Sequence, residues 1–421
     1  MNTAVLTIII MIATAVLLLT EIIPPAASSL ICCLALVLTG ILKPAAAFSQ
    51  FASTNIVLFA AMFVLGHAFF ACGLVDDLGK AIRRYSNNEK MLVFIILIVG
   101  GALSAFLSNT STTAVFLPLI IGIASATGYS RSRLLYTMMI AVGMGGCVTF
   151  LGGPGWLFTK EQIEMAHPGM TVSMFELAKI GLPLFIVSVI YMMTIGYKLT
   201  PDRLPEEDAA VEEIKRAQKP AWHKTFVLAD MTLTIAAMIF ADQLKVNACV
   251  SATIGALVLV LAGVISESEA YQAISWKTLF LFGGILPLST ALKETGAGDM
   301  IANFILGAMG NTTNPYIITG VCMLIPCVLS QFLSNATTMA VFTPLGVSVA
   351  TAIGADPTAV IMAISVGACL AIATPIGQPG NAMIYGPSGL KFIDYAKPGI
   401  PLLIIMYLVS VILIPNLWPF F

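Results

Sequence analysis

Apolar runs with the length of a membrane-spanning helix recur along the chain. Each has the ~16–20 residues with which a helix crosses a ~30 Å hydrocarbon layer. Short segments rich in polar residues, proline or glycine separate the runs. The pattern predicts ten membrane spans, at residues 3–22, 26–42, 54–72, 134–151, 180–198, 226–241, 247–265, 276–292, 358–373 and 399–418.

Two further regions, residues 91–127 and 314–354, break this pattern. Each holds an apolar arm, a polar cluster and a second apolar arm, and neither region contains a charged residue. Irregular backbone at membrane depth must be buried in protein or line a water-filled cavity. Both regions are therefore predicted to form re-entrant hairpins whose tips lie near the middle of the membrane.

The two predicted hairpins carry one motif at a fixed offset. Residues 108–119 (SNTSTTAVFLPL) and 334–345 (SNATTMAVFTPL) are identical at eight of twelve positions and lie 226 residues apart. Downstream, the segment GGPG at 152–155 recurs as GQPG at 377–380. Paired hairpins and paired Gly/Pro-interrupted spans are typical of secondary transporters. The sequence thus predicts an all-α polytopic membrane protein, with about ten transmembrane helices and two re-entrant hairpins in two repeats.

Lysine and arginine are distributed unevenly over the predicted loops. With the amino terminus outside the cell, fifteen of the twenty fall on the cytoplasmic side and five on the outer side. Cytoplasmic loops of membrane proteins carry such an excess. This orientation opens the two hairpins to opposite sides. It therefore predicts inverted topology for the two repeats, in a multi-pass protein of the cell inner (plasma) membrane.

Composition narrows the class of protein further. Hydrophobic residues make up 58% of the 421 residues and charged residues 10%, and the formal net charge is −1. Without a basic excess we expect no nucleic-acid partner, and the apolar content points to a lipid bilayer instead. The eight cysteines lie within apolar runs and there are only three histidines, so we expect no zinc site.

The segments expected to meet at the centre of the membrane contain no Asp, Glu, Lys, Arg or His; they are 91–130, 134–159, 300–355 and 357–390. An intramembrane enzyme would need such groups at depth, so we expect no enzymatic activity. Proton transfer through a side chain also requires a titratable group, whereas a sodium ion needs only oxygen ligands. We therefore expect sodium as the coupling ion, with one site per repeat. A proton relay through His67 is the alternative.

An anion is the expected cargo. The helix that follows each hairpin tip presents its unpaired N–H groups and the positive end of its dipole to the centre. A small anionic substrate can be held there without an arginine.

The paired motifs resemble a known family. The two Ser-Asn-Thr-type tips with their Ala-Val-Phe-x-Pro-Leu arms, together with residues 276–284 (WKTLFLFGG), are similar to the divalent anion/sodium symporter family, the carriers of di- and tricarboxylates and sulfate. The resemblance covers the chain from about Asn55 to its end. It implies an inverted-repeat elevator transporter that forms a homodimer and uses sodium as the coupling ion.

The resemblance also implies ligand positions and a domain organisation. The first sodium site would use Ser104, Ser108, Asn109 and the backbone of Gly152, and the second would use Ser330, the backbone of Leu333, Asn335 and the backbone of Gly377. The substrate would contact Asn109, Thr110, Ser334, Asn335, Gln378 and Pro379. The domains would be 1–90 (scaffold helices with an interfacial helix), 91–198 (first half of the transport domain, with a helix break around 152–155), 199–225 (cytoplasmic linker), 226–313 (scaffold helices) and 314–421 (second half of the transport domain, with a break around 374–381).

Other functions are compatible with the same sequence. An anion exchanger or a sulfate carrier would have the same fold. The membrane subunit of a binding-protein-dependent carrier shares the hairpin plan, and a channel could use the same polar tips.

Overall fold

The computed structural model describes residues 2–20, 22–74, 88–203, 220–240, 244–298, 300 and 314–421. Within these ranges every regular element is helical. Parts of three predicted features lie outside them: residues 75–87 of the first scaffold segment, residues 204–219 of the linker, and residues 301–313 of the second scaffold segment.

The first half of the chain contains α1 (Thr3–Thr20), α2 (Pro25–Leu38), α3 (Pro44–Phe48), α4 (Thr54–Ala71), α5 (Glu89–Ser104), α6 (Asn109–Thr127), α7 (Arg131–Gly145), α8 (Pro154–Ala166) and α9 (Ala178–Leu199). A 3-10 turn at Ser49–Ala52 joins α3 to α4, and α9 includes a π-helical turn at Met192–Gly196.

The second half contains α10 (Ala221–Ile239), α11 (Ala248–Leu261), α12 (Glu267–Ala273), α13 (Trp276–Thr295), α14 (Pro315–Leu329), α15 (Asn335–Ile353), α16 (Pro357–Cys369), α17 (Pro379–Ser388) and α18 (Phe392–Leu417). A helix overlaps each of the apolar runs from which spans were predicted.

Five helical segments of the described chain are long and apolar enough to cross a membrane: Pro44–Ala71, Asn109–Thr127, Ala178–Leu199, Asn335–Ile353 and Phe392–Leu417. Shorter apolar helices accompany them at α1, α2, α11, α14 and α16. The apolar, helical architecture is that of a multi-pass membrane protein.

The helices pack as two groups. In the first group, α13 lies along α2, α11 lies along α4, and α1, α10 and α12 pack beside them. The second group contains α5 to α9 and α14 to α18, in which α5 packs on α7 and α14 packs on α16. Contacts of α13 with α15 and of α4 with α8 join the two groups.

Each hairpin region folds as two helices joined by a short turn. Ser108 and Ser334 are the N-caps of α6 and α15, and their backbone angles φ/ψ are −62°/140° and −65°/141°. Each hydroxyl accepts a hydrogen bond from the backbone N–H three residues later, at 3.3 and 3.1 Å. Both 19-residue helices end at a glycine with positive φ, Gly128 at 73° and Gly354 at 66°, a conformation that favours glycine.

The helices α7 and α16 end earlier than the apolar runs predict. The runs extend to residues 151 and 373, whereas α7 ends at Gly145 and α16 ends at Cys369. A Cβ on Gly145 would lie 2.3 Å from the Cα of Gly101, and a Cβ on Gly146 would lie 2.1 Å from Oδ1 of Asn109. The backbone of α7 leaves its helix where it presses against the hairpin, so a tertiary contact rather than local hydrophobicity sets the end of the helix.

Candidate functional site

A cavity of about 510 Å³ opens between the two hairpin tips, the two helix breaks and the start of α13. This volume lies within the ~300–1,000 Å³ that small-molecule sites occupy. The second group of helices contributes Ser108, Asn109, Thr110, Ser111, Gly153, Gly155, Trp156, Ser334, Asn335, Ala336, Thr337, Met339, Cys369 and Gln378 to its lining. The first group and its loops contribute Pro25, Phe63, Ala273, Ser275, Lys277, Thr278 and Leu281.

At the first tip, the end of α5 meets the start of α6. Ser104 is fully buried, and its hydroxyl donates to Oδ1 of Asn109 at 2.6 Å. Gly146 lies directly against the same amide oxygen, and a Cβ on Gly152 would lie 2.2 Å from the carbonyl oxygen of Gly146. The structure therefore brings Ser104 and Asn109 together. In the helix break, Gly146 packs directly against Asn109, and Gly152 packs against Gly146.

At the second tip, the Asn335 amide faces the carbonyl oxygens of Ala368 and Gly377. With its nitrogen turned toward them, the amide donates to both, at 2.9 and 3.3 Å. A Cβ on Gly377 would lie 2.3 Å from the carbonyl oxygen of Ser330, whose own side chain is fully buried. Three of the predicted second-site residues thus adjoin one another, and oxygen atoms concentrate around them.

One hydrogen bond joins tip to break in both halves. The Thr149 hydroxyl donates to the carbonyl oxygen of Ala105, and the Thr374 hydroxyl donates to that of Gln331. The acceptors lie 226 residues apart in the sequence, and the donors lie 225 apart. Neither threonine was among the predicted site residues, although the 225-residue offset between the segments 152–155 and 377–380 also relates them.

The two breaks differ in their side chains. Asn381 donates to the carbonyl oxygens of Ala371 and Thr374, both at 2.9 Å, and so satisfies backbone groups that the end of α16 leaves free. At the matching position of the first break stands Trp156, which is only 3% exposed. Gln378 precedes α17, is 5% exposed, and donates to the Cys369 carbonyl at 3.4 Å. The second break therefore carries the more polar lining.

The remaining predicted ligands have different surroundings. The hydroxyls of Ser108 and Ser334 contact those of Ser111 and Thr337 on their own helices, at 2.8 and 2.7 Å. Thr110 is exposed to the cavity. Leu333 lies in the turn, where its N–H donates to the Leu329 carbonyl at 3.1 Å. Pro379 is the first residue of α17, and its side chain lies outside the described part of the structure; His67, the alternative proton relay, lies in α4, outside the described lining of the cavity.

The start of α13 supplies a polar wall that the sequence analysis did not assign to the site. Ser275, Lys277 and Thr278 all line the cavity. Ser275 directly precedes the apolar run at 276–292, and Lys277 and Thr278 lie in its first turn, inside the segment 276–284 on which the family resemblance rests. Polar residues at the start of this segment were the sequence feature from which the wall could have been predicted.

The electrostatics of the cavity favour negative charge. Among the described lining residues there is no carboxylate, and Lys277 is the one charged group. Asn109 and Asn335, the first residues of α6 and α15, both line it, so the unpaired N–H groups and positive dipole ends of two helices meet there. The arrangement can bind a small anion.

Comparison with known proteins identifies the family. The profile of the citrate transporter (CitMHS) family matches residues 15–325 and 312–420. The chain belongs to this family of transporters, and it is a transporter and not an enzyme. This agrees with the resemblance to the divalent anion/sodium symporters.

Individual relatives span most of the chain. An uncharacterized transporter of Methanocaldococcus jannaschii, MJ0672, is 26% identical over 94% of this chain and 90% of its own length. The sodium-dependent dicarboxylate transporter SdcS of Staphylococcus saprophyticus is 24% identical over 93% of this chain and 82% of its own length. Among solved structures, the Alcanivorax borkumensis YdaH transporter has a TM-score of 0.65 at 16% identity, covering 89% of each chain. MtrF of Neisseria gonorrhoeae, from a class of antimetabolite efflux pumps, has a TM-score of 0.62 at 15% identity, covering 90% of this chain and 83% of its own.

Proposed function

We propose that this protein is a sodium-coupled secondary transporter of small anions, di- or tricarboxylates, that works by an elevator-type alternating-access mechanism. The observation that carries the proposal is the central cavity, where two hairpin helices begin and no described lining residue is acidic. The family supplies the class of cargo, a small anion.

Sodium is the proposed coupling ion because oxygen atoms are what the tips offer. Ser104, Asn109 and the backbone of Gly152 form the proposed first site with Ser108. The second uses Ser330, Leu333, Asn335 and Gly377. If the Asn335 amide turns its oxygen to the carbonyls of Ala368 and Gly377, three oxygens converge, an arrangement that a cation satisfies. The relative SdcS is named as sodium-dependent, which supports the same ion.

A dicarboxylate or tricarboxylate is the proposed substrate. Asn109, Thr110, Ser334, Asn335, Gln378 and Pro379 would contact it. The N-termini of two helices suit an anion, since their unpaired N–H groups can bind a carboxylate between them. The names of the family and of SdcS, citrate and dicarboxylate, belong to the same chemical class.

The division of the helices into two groups supports the proposed elevator mechanism. In the proposal, residues 91–198 and 314–421 form the moving transport domain, and residues 1–90 and 226–313 form the scaffold of a homodimer in the plasma membrane. The matching caps, glycine ends and threonine bonds of the two halves support inverted repeats within a ten-span topology.

The test is uptake by the purified protein in proteoliposomes. We expect an inward sodium gradient to drive accumulation of labelled succinate or citrate, and an imposed pH gradient without sodium to drive none. Proton-driven uptake in sodium-free buffer would overturn the choice of ion. Counterflow that needs no sodium would identify an exchanger, and uptake of sulfate alone would identify a sulfate carrier. Single-channel current would identify a channel. Uptake that requires an added soluble protein would identify a binding-protein-dependent carrier.

A further inference from the structure

Lys277 gives the cavity its one charged side chain among the described lining residues. It is the second residue of α13, and its side chain is exposed. Within the described part of the chain, Lys277 takes part in no ion pair or hydrogen bond through its ammonium group. The same lining contains no carboxylate that could neutralise it. The ammonium group therefore remains available to a ligand of opposite charge.

The location of Lys277 separates it from the other proposed ligands. Asn109 and Asn335 lie on hairpin helices of the second helix group, whereas α13 belongs to the first group and lies along α2. The cavity thus has an uncharged wall of amides, hydroxyls and helix N-termini and a second wall that carries a full positive charge. An anion between them contacts both helix groups at once.

We propose that Lys277 is a substrate-binding residue that selects dianions over monoanions. The inference rests on the proposed function, since it assigns a further residue of the same site. The hairpin tips hold one carboxylate, and the Lys277 ammonium pairs with a second carboxylate that a monoanion lacks. Because α13 belongs to the proposed scaffold, this pair exists only while the tips are next to α13, so Lys277 acts on binding from one side of the membrane.

The test compares succinate with butyrate, a monoanion with the same number of carbon atoms. Dissociation constants are measured by calorimetry at saturating sodium and constant ionic strength, for wild type, Lys277→Gln and Lys277→Arg. We expect Lys277→Gln to weaken succinate binding about tenfold, the effect of losing one hydrogen bond to a charged group. Butyrate binding should change less than twofold, and Lys277→Arg should restore the preference for succinate.

Lys293→Gln is the matched control. Lys293 is an exposed lysine of the same helix, about 24 Å further along its axis, and does not line the cavity. Lys293→Gln removes the same charge from the molecule but not from the cavity. It should therefore leave both dissociation constants unchanged.

Two failures are distinguishable. If wild type binds succinate with sodium but Lys277→Gln has the same ratio of succinate to butyrate affinity, the role of Lys277 is wrong and the proposed function stands. An equal loss in Lys293→Gln would likewise overturn it, because net charge would then explain the effect. If wild type binds neither succinate nor citrate, the proposed function fails, and the role of Lys277 fails with it.

Discussion

Asn109 and Asn335 begin the two hairpin helices, but their amides have different partners. Asn109 accepts from Ser104, whereas Asn335 faces carbonyl oxygens. An aspartate can accept but cannot donate. Asn109→Asp should therefore keep the Ser104 contact and the fold, while Asn335→Asp should lose stability in sodium-free buffer, where no cation separates the carboxylate from the two carbonyl oxygens.

The charge added by Asn109→Asp tests the proposed anion contact. We expect it to weaken anion binding by about 2–4 kcal/mol, on the scale of ~4 kcal/mol for unit charges 4 Å apart at an effective dielectric of 20. Calorimetric titration with succinate measures this. Asn247→Asp, at the exposed N-cap of α11, adds the same charge to another helix start and should have no effect on binding. Affinity within threefold of wild type in Asn109→Asp would refute the contact.

Gly146 and Gly143 lie three residues apart but differ in the space around them. A Cβ at 146 would lie 2.1 Å from Oδ1 of Asn109, whereas a Cβ at 143 would meet Gln378 at 3.4 Å, an ordinary contact. We expect Gly146→Ala to destabilise the protein by about 1–3 kcal/mol through overpacking. Gly143→Ala, inside α7, should be neutral or slightly stabilising. Thermal unfolding in detergent measures both, and equal melting temperatures would contradict the close approach of Gly146 to the tip.

At the scale of elements, the two threonine bonds hold the breaks onto the hairpins. Thr149→Val and Thr374→Val keep the side-chain shape but leave a buried carbonyl without its donor, which costs about 1–3 kcal/mol each. We also expect weaker sodium binding in both variants, because the break backbone lies behind the tip. Thr127→Val is the control, because the Thr127 hydroxyl donates to Ile123 of its own helix, accepts from the Tyr129 N–H at 3.4 Å and touches neither break. Unchanged sodium-dependent thermal shifts in Thr149→Val and Thr374→Val would separate these bonds from the ion sites.

Sequence reasoning located the hairpin tips but not the full site. The sequence predicted the tip residues Ser108, Asn109, Ser334 and Asn335. Polar clusters between apolar arms that recur at one offset indicate a function shared by both repeats. The early end of α7 could not be predicted, because it depends on a close approach of Gly146 that forms only in the packed molecule. The same holds for the wall at α13, which meets the tips through packing of distant segments. Periodicity reports which face of a helix is apolar, but not which helix lies opposite.

On the scale of the whole molecule, an ion pair connects the first half of the chain, α1 to α9, with the second half, α10 to α18. Arg203, beyond α9, donates from Nε and a terminal nitrogen to the two carboxylate oxygens of Asp394 at 3.0 and 3.2 Å. Its backbone N–H donates to the Ser132 hydroxyl at the start of α7. Asp394 belongs to the first turn of α18 and is fully buried, while the Arg203 side chain is 42% exposed. The pair therefore links α7 and α9 to α18 within the second helix group.

Removing this carboxylate should loosen the link. Asp394→Ala should lower stability by about 1.5–3 kcal/mol, the range for hydrogen bonds to charged groups. Lys397→Ala removes a second, 56% exposed partner that lies 3.8 Å from the same carboxylate, and it should cost less than about 1 kcal/mol. Thermal unfolding in detergent distinguishes the two. Equal effects would mean that Arg203 contributes no more than an exposed charge.

The packing of α8 on α15 and α16 also determines when the site can form. Gly155 lies against Met339, and the Thr159 hydroxyl donates to that of Ser365 at 2.8 Å. The ribosome reaches α15 about 170 residues after it has finished α8. At ~5–20 residues per second, this is roughly 10–35 s. During that interval the nascent first half holds an unpartnered helix face within the membrane. The order of synthesis therefore sets the earliest moment at which the central cavity can exist, however stable the finished molecule is.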